Sequence, residues 1–355
     1  MDGIVLFFLA LGLVTVLLSW MLPHRLTLSF ISAATFLGLL VWSPYSAISL
    51  LLLSVTLPLF MQHGGRVLGK NATLFIAICA VSAIFVTSRL SQGLAWIGVA
   101  YFSLRLIHVL IEWWIGKIAI PSVTEHLKYQ FFAPVIVAGP INRMPHFQRE
   151  WDRRSWDSSE FWSGFERFII GMFLVIVVGS ALLGKVERSA ELALKTHGFF
   201  LQQWVGSAID WIQLYTSFSG YTSIALGLGL MMGIKLEENF NKPYLASNLI
   251  DFWSRWHMTL TSWCRDYVFK PLSAATRNPA LGVFAAMLVL GLWHEFSIYY
   301  VLWAAWQSLG IIATHLLKDK LPDFSAPVGH VGGAIIVFSW LTLAQPVIRT
   351  LLSFV

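Results

Sequence analysis

The sequence predicts an all-α, polytopic integral membrane protein, and three observations support this fold class. Hydrophobic residues make up 57% of the 355 residues, and only 12% are charged. The mean hydropathy is +0.70. A soluble domain carries about twice that share of charged residues, because its surface must be hydrated. The apolar residues are also grouped in runs suited to helices that cross a bilayer.

About eleven of these runs are predicted to form membrane-spanning helices. They lie near residues 4–22, 28–42, 47–61, 72–88, 94–116, 161–183, 201–218, 221–233, 281–293, 297–317 and 331–355. A more polar stretch, 117–160, separates the fifth run from the sixth. The sequence shows no internal repeat and no linker, so residues 1–355 are predicted to form a single domain.

The distribution of basic residues predicts the orientation in the membrane. The loop after the first run carries Arg25, the loop after the third carries Arg66 and Lys70, and the stretch after the fifth carries many Lys and Arg residues. The loops after the second and fourth runs carry almost nothing but Arg89. By the positive-inside rule the odd-numbered loops face the cytoplasm, so the N-terminus faces outward. The net charge of +6 is spread among short loops in this way, and it therefore does not indicate a nucleic-acid partner.

Ionisable residues inside an apolar run are costly and are therefore functional candidates. Arg105, His108 and Glu112 lie in the fifth run at spacings of three and four, which places them on one helix face. They form either an ion cluster that fixes helix packing or part of a substrate path.

The segment 130–142 is apolar but too short to span the membrane. Pro134, Gly139 and Pro140 interrupt any helix there. Irregular backbone is tolerated at membrane depth when it is buried in protein, so a re-entrant segment is expected. A hydrophobic surface loop is the alternative.

Residues 251–267 are predicted to form an amphipathic helix. One stripe of it would carry Phe252, Trp256, Leu260, Trp263 and Tyr267, and Arg255, Thr259, Ser262 and Asp266 would lie away from that stripe. Such a Trp-rich helix could simply lie at the membrane interface. An interfacial anchor, however, does not require an Arg-Trp-His sequence close to an Arg265–Asp266 pair.

His294 follows a strongly apolar run, 280–292. A histidine at membrane depth tends to be neutral, and neutral imidazole is the form that a general base needs. A packing histidine on an apolar face is the alternative. His294 and Glu295 begin like the zinc signature H-E-x-x-H, but Ile298 stands where the second histidine must be. No metal site is therefore predicted.

Six motifs follow one another in the chain. They are Val-Ile-Val-Ala-Gly-Pro-Ile (135–141), Phe-Ser-Gly-Tyr (218–221), Asn-Phe-Asn-Lys-Pro-Tyr (239–244), Asp-Phe-Trp-Ser-Arg-Trp-His (251–257), Ser-Trp-Cys-Arg-Asp-Tyr (262–267) and Gly-Leu-Trp-His (291–294). Together they resemble the membrane-bound O-acyltransferase (MBOAT) family, and most closely its branch of bacterial alginate O-acetylation and D-alanyl-teichoic acid transfer proteins. The resemblance is dense over 214–310 and thinner over 98–141.

The resemblance implies helices around a central funnel or tunnel, with His294 as general base near its narrow point. His257 matches the second histidine of the family and would orient the donor or stabilise developing charge. The residues expected to contact substrate are Trp256, Arg255, Trp293, Arg265, Asp266 and Asn241, although Arg265 and Asp266 could instead pair with each other. Glu295 departs from the family branch, which usually has Gly after the catalytic histidine.

The resemblance also implies the reaction and its partners. An acyl group, expected to be acetyl, would pass from a cytoplasmic thioester, either acyl-CoA or an acyl carrier protein, to a hydroxyl, for example of an exported polysaccharide. No bound cofactor is expected. Membrane lipid and an extracytoplasmic acyl-transfer protein are the expected partners, and the bacterial cytoplasmic (inner) membrane is the expected location. The alternatives are a lipid or small-molecule acyltransferase of the same family and a non-catalytic transporter or channel for an acyl or glycan intermediate.

Overall fold

The computed structural model describes residues 3–91, 96–317 and 327–354, and all regular secondary structure in these ranges is helical. The contacts divide the chain into two compact units. Unit 1 comprises Met1–Met172 and Tyr221–Glu237, and unit 2 comprises Phe173–Gly220 and Glu238–Val355. The single-domain assignment stays a prediction.

Unit 1 is built from the first eight helices, apart from the last residue of the eighth. They are α1 (Gly3–Met21), α2 (His24–Trp42), α3 (Pro44–Val67), α4 (Lys70–Leu90), α5 (Val99–Trp114), α6 (Val123–Gln130), α7 (Met144–Arg153) and α8 (Ser158–Phe173). Each of α1 to α4 packs against the helix that follows it, and α6 packs against α2 and α3. Fully buried apolar side chains such as Ile31, Leu50 and Leu106 form its core.

The segment after α6 is irregular and mostly buried, as the sequence predicted. A single 3₁₀ turn, Ala133–Val135, is its only regular element among the described residues. Phe131, Phe132 and Ile141 are at most 1% exposed. The surface-loop alternative is therefore wrong, because protein covers this backbone.

The ionisable face of α5 is buried and has partners outside α5. Arg105 donates hydrogen bonds to the backbone oxygens of Tyr129 and Gln130. The Nε2 atom of His108 accepts from the backbone N–H of Met144 at 3.1 Å. These contacts tie α5 to the end of α6 and to the start of α7, and they favour the packing interpretation of this cluster.

Unit 2 begins with a π-helical stretch, Leu174–Leu183. It continues with α9 (Gly184–Leu194), α10 (Phe199–Met231), α11 (Leu249–Arg255), α12 (Met258–Cys264), the π-helical turn Arg265–Phe269, α13 (Lys270–Thr276), α14 (Pro279–His294), α15 (Ile298–Leu317) and α16 (Pro327–Leu352). The last part of α10, from Tyr221, belongs to unit 1. The prediction of two spans at 201–218 and 221–233 was wrong, because the helix continues through Gly220, and a lone glycine does not end a helix.

Within the described ranges, six helices are long and apolar enough to cross a membrane. They are His24–Trp42, Pro44–Val67, Lys70–Leu90, Ser158–Leu194, Ile298–Leu317 and His330–Leu352, and the shorter apolar helices Leu6–Met21 and Pro279–His294 accompany them. The protein is thus an all-α, polytopic membrane protein. The predicted count of eleven spans is not reproduced.

Candidate active site

Unit 2 contains a cavity of about 350 Å³, and both histidines predicted to be catalytic line it. Trp211, Trp253 and Trp256 form part of its aromatic wall. We call it the histidine cavity. The structure thus brings His257, His294 and Trp256 together in one cavity, while their roles stay predictions.

A break between two helices places His257 in this wall. The sequence predicted one continuous helix over 251–267, but α11 ends at Arg255 and α12 begins at Met258. His257 lies between them with φ of 41°, in the left-handed region that is unfavourable for a residue with a side chain. The continuous-helix prediction was therefore wrong.

Asn239 supplies the bonds that hold this break. Its backbone oxygen accepts from the N–H of Met258 at 2.8 Å. Its side-chain oxygen accepts from the hydroxyl of Thr259 at 2.6 Å. Asn239 is fully buried, so both bonds form away from water and offset the strained backbone of His257.

The ring of His257 is enclosed by aromatic side chains. It packs edge-on against Phe218, with 4.6 Å between the ring centroids, and it lies 5.8 Å from Trp293. Only 2% of His257 is exposed. Its Nε2 atom has no hydrogen-bond partner among the described residues, which is unusual for a buried polar atom and indicates a place where a substrate group could bind.

The protonation state of His257 follows from this burial. His257 lies in the break between two seven-residue helices rather than in a membrane-spanning helix. Burial, and to a smaller extent the nearby His294, lowers the pKa of His257 well below its ordinary value. The imidazole is therefore neutral and carries one N–H donor and one acceptor nitrogen.

His294 is the last residue of α14, and its side chain is exposed at the cavity. Its ring lies nearly parallel to that of Tyr300, with a centroid distance of 5.8 Å and an interplanar angle of 19°. Trp293 packs against its edge at 4.8 Å. A histidine that only fills space in an apolar core would be buried, so the packing interpretation of His294 is disfavoured.

The other predicted substrate contacts lie outside the lining of this cavity. Arg255 forms an ion pair with Asp251 at 2.7 Å, and its backbone oxygen accepts from the N–H of Asn241 at 3.0 Å. Trp293 is buried and contacts both histidine rings without lining the cavity itself.

Arg265 and Asp266 pair with each other, which is the alternative that the sequence left open. The Nε atom of Arg265 lies 3.2 Å from the Asp266 carboxylate, and the Nζ atom of Lys270 lies 2.9 Å from the same oxygen. The arginine side chain is 57% exposed. The pair therefore belongs to a solvated ion network on the π-helical turn.

Several polar residues of the histidine cavity were not predicted from the sequence. They are Ser207, Asp210, Tyr299, Tyr300 and Gln345. Asp210 was detectable, because it is an ionisable residue inside the predicted span 201–218 and the rule that singled out Arg105 applies to it. Within the described residues no cluster of three or more His, Cys, Asp or Glu side chains is placed to hold a metal ion.

Comparison with known proteins decides the family. The family described as MBOAT, membrane-bound O-acyltransferase family, matches residues 73–341. This chain belongs to that family. The match contains His257, His294 and all the predicted substrate contacts, whereas Ala344 and Gln345 of the cavity wall lie beyond it.

Individual relatives of this MBOAT chain are bacterial. The probable alginate O-acetylase AlgI of Pseudomonas aeruginosa is 31% identical over 217 residues, which are 60% of this chain and 41% of the relative. The teichoic acid D-alanyltransferase of Bacillus subtilis is 28% identical over 61% of this chain and 58% of its own length. The peptidoglycan O-acetyltransferase of Helicobacter pylori is 29% identical over 63% and 44%. The matched part of the chain thus spans about half the length of these relatives.

Proposed function

We propose that this protein is an O-acyltransferase that moves an acyl group, expected to be acetyl, from a thioester to a hydroxyl of an exported polysaccharide. The observation that carries the proposal is the placement of His257 and His294 in one cavity of unit 2. One histidine can transfer the proton, and the other can stabilise charge. The relatives named as O-acetylases and a D-alanyltransferase support the same class of reaction.

His294 would act as the general base. It takes the proton from the acceptor hydroxyl while the hydroxyl oxygen attacks the carbonyl carbon of the thioester. A C–O bond forms, negative charge develops on the carbonyl oxygen, and the C–S bond then breaks. The departing thiolate takes the proton from His294, so the products are an ester and a free thiol and the base returns to its neutral form.

His257 would stabilise the charge that develops on the carbonyl oxygen. Its buried Nε2 atom has no partner among the described residues and is therefore available to a substrate. A hydrogen-bond donor held in place before the reaction is worth most in a site that excludes water. The aromatic wall of Trp211, Trp253 and Trp256 would provide that exclusion and protect the thioester from hydrolysis.

The proposed arrangement in the cell follows the orientation predicted from loop charges. The protein would lie in the bacterial inner membrane with its N-terminus outside. The donor, acyl-CoA or an acyl carrier protein, would approach from the cytoplasm. The acyl group would reach the glycan outside, directly or through an extracytoplasmic acyl-transfer protein.

The test is thiol release by purified protein in lipid nanodiscs. Wild type, His294→Ala and His63→Ala are incubated with a panel of acyl-CoA and acyl-carrier-protein thioesters and an oligosaccharide acceptor. His63 is an exposed histidine on α3, so its variant is a matched control. We expect the rate to fall about 10²–10⁴-fold in His294→Ala alone, because a positioned base contributes that much.

Other outcomes would contradict the proposal in different ways. Wild-type rates in His294→Ala would remove His294 from the role of base. An acylated lipid without any acylated glycan would favour the lipid acyltransferase alternative. No thiol release from any donor by folded wild type, together with flux of an acyl or glycan intermediate across vesicles, would favour a transporter.

A further inference from the structure

A second cavity of unit 2, of about 320 Å³, adjoins the histidine cavity. Two residues, Asp210 on α10 and Gln345 on α16, line both cavities. The second cavity is also lined by Glu187, Glu191, Lys195, Gln202, Gln203 and Arg349. We call it the polar chamber. Because Asp210 and Gln345 line both cavities, the polar chamber and the histidine cavity lie side by side in unit 2.

The helices that carry the shared residues are held together by side-chain hydrogen bonds. The indole N–H of Trp204 donates to the hydroxyl of Thr342 at 3.0 Å, and that of Trp211 donates to the backbone oxygen of Leu341 at 3.2 Å. The amide of Gln345 donates to that of Gln203 at 3.4 Å. The wall between the cavities is therefore formed by braced helices rather than by loops, which suits a site that must position a ligand.

The chemistry of the chamber fits a ligand rich in hydroxyl groups. Carboxylates accept hydrogen bonds, and side-chain amides both donate and accept, so together they match hydroxyls, which do both. Beyond the shared residues, the histidine cavity offers the rings of Trp211, Tyr299 and Trp303. Aromatic rings cover the apolar faces of sugar rings, while hydrogen-bonding groups bind the sugar edges. The two cavities together thus offer what an oligosaccharide requires.

The charges of the chamber select among hydroxyl-rich ligands. Its lining contains three carboxylates, Glu187, Glu191 and Asp210, and two cations, Lys195 and Arg349. A polymer with one negative charge per sugar would meet an excess of one carboxylate at close range, where like charges repel. A phosphorylated thioester donor would be disfavoured there for the same reason.

We propose that the polar chamber is the acceptor subsite and that it binds an uncharged, hydroxyl-rich glycan in preference to a polyanionic one. This inference rests on the proposed function, since it assigns the acceptor of the same site. The predicted orientation supports it: α9, which carries Glu187 and Glu191, follows the sixth predicted span and would therefore lie outside the cytoplasm. An exported glycan would reach the chamber from that side.

The test compares acceptors with the donor that gives the fastest thiol release. Full-length protein in nanodiscs is given a neutral hexasaccharide, a uronate hexasaccharide or a phosphate-linked polyol oligomer, and the acylated products are quantified by mass spectrometry. We expect kcat/KM for both anionic acceptors to be at least about tenfold below that for the neutral one, because like-charge contacts penalise a wrong partner.

Charge-neutralising variants test whether the chamber causes that preference. In the double variant Glu187→Gln/Glu191→Gln, kcat/KM for the uronate acceptor divided by kcat/KM for the neutral acceptor should rise about tenfold. The reason is that two carboxylates that repel the uronate are replaced by amides of the same size. Glu166→Gln, which changes an exposed glutamate on α8 of unit 1, is the matched control and should leave the ratio unchanged.

The failure of this inference is distinguishable from the failure of the proposed function. Preference for an anionic acceptor by wild type, or an unchanged ratio in the double variant, would overturn the acceptor assignment alone, provided that thiol release still depends on His294. If no combination of donor and acceptor gives thiol release that depends on His294, both the acceptor assignment and the proposed function are overturned.

Discussion

The ionisable face of α5 in unit 1 and the histidine cavity of unit 2 both place polar side chains among apolar ones. Around α5, Arg105 donates to two backbone oxygens and His108 accepts from a backbone N–H. In unit 2, His257 and His294 face a cavity instead, and the Nε2 atom of His257 has no partner among the described residues. A polar group in a membrane protein thus indicates either a packing bond or a site, and its partners distinguish the two.

Both regions contain irregular backbone, and its role differs between them. In unit 1 the hydroxyl of Tyr129 donates to the backbone oxygen of Asn142 at 2.5 Å, and Arg105 covers the Tyr129 ring at 4.2 Å. The polar groups there hold buried backbone in place. In unit 2, Asn239 holds the break that turns His257 towards the cavity. Backbone irregularity serves packing in the first case and the orientation of a functional side chain in the second.

After the loss already expected for His294→Ala, the largest effect is expected for His257, and paired variants separate its side chain from its backbone. His257→Ala and His257→Gly should both lower kcat on the order of 10²-fold, as loss of one oxyanion donor does. Since φ is 41° there, the glycine variant should be more stable than the alanine variant by about 1 kcal/mol. Thiol release and thermal unfolding in detergent measure the two effects. Equal stability of the two variants would contradict the role of backbone strain.

Arg105→Ala should act on stability and not on chemistry. The change empties a fully buried site and removes the donor from two backbone oxygens. We expect a loss on the order of 3 kcal/mol in the free energy of unfolding. Arg66→Ala, at an exposed position near the end of α3, is the control. A folded Arg105→Ala protein with normal melting but no activity would instead favour the substrate-path interpretation.

Asn239→Ala should have a smaller effect on the site. It removes the side-chain bond to Thr259 but leaves the backbone bond to Met258. Asn239 is a positioning residue, so we expect kcat to fall several-fold through misplacement of His257 while KM for the donor changes little. Rescue by Asn239→Asp, which keeps the acceptor oxygen, would support the role. A change in KM alone would contradict it.

The smallest effect is expected for Arg265→Ala. The side chain is 57% exposed, and its pair with Asp266 lies outside the histidine cavity. Exposed ion pairs contribute about 0–1 kcal/mol. Thiol release and melting temperature should both stay close to wild type. A loss of activity comparable to that of His257→Ala would show that Arg265 contacts substrate in a state other than this one.

The sequence by itself determined the fold class and the main candidates of the site. Runs of apolar residues indicate membrane helices because each residue contributes its own hydropathy, whatever lies elsewhere in the chain. The burial of the irregular segment 130–142 followed from local composition in the same way. The ordered motifs identified His257, His294 and Trp256, which the structure places in one cavity.

Tertiary structure decided the rest, because it depends on contacts between residues far apart in the chain. The break at His257 is held by Asn239, and its bond to Thr259 joins residues 20 positions apart. Hydropathy therefore predicted a continuous helix there. Asp210 and Gln345 lie in the wall that the two cavities share only because α10 and α16 pack together. The hydrogen bond from Trp211 to Leu341, across 130 residues, is one of the contacts that join these helices. Neither periodicity nor motif order contains that information, so the polar chamber became visible only in the folded chain.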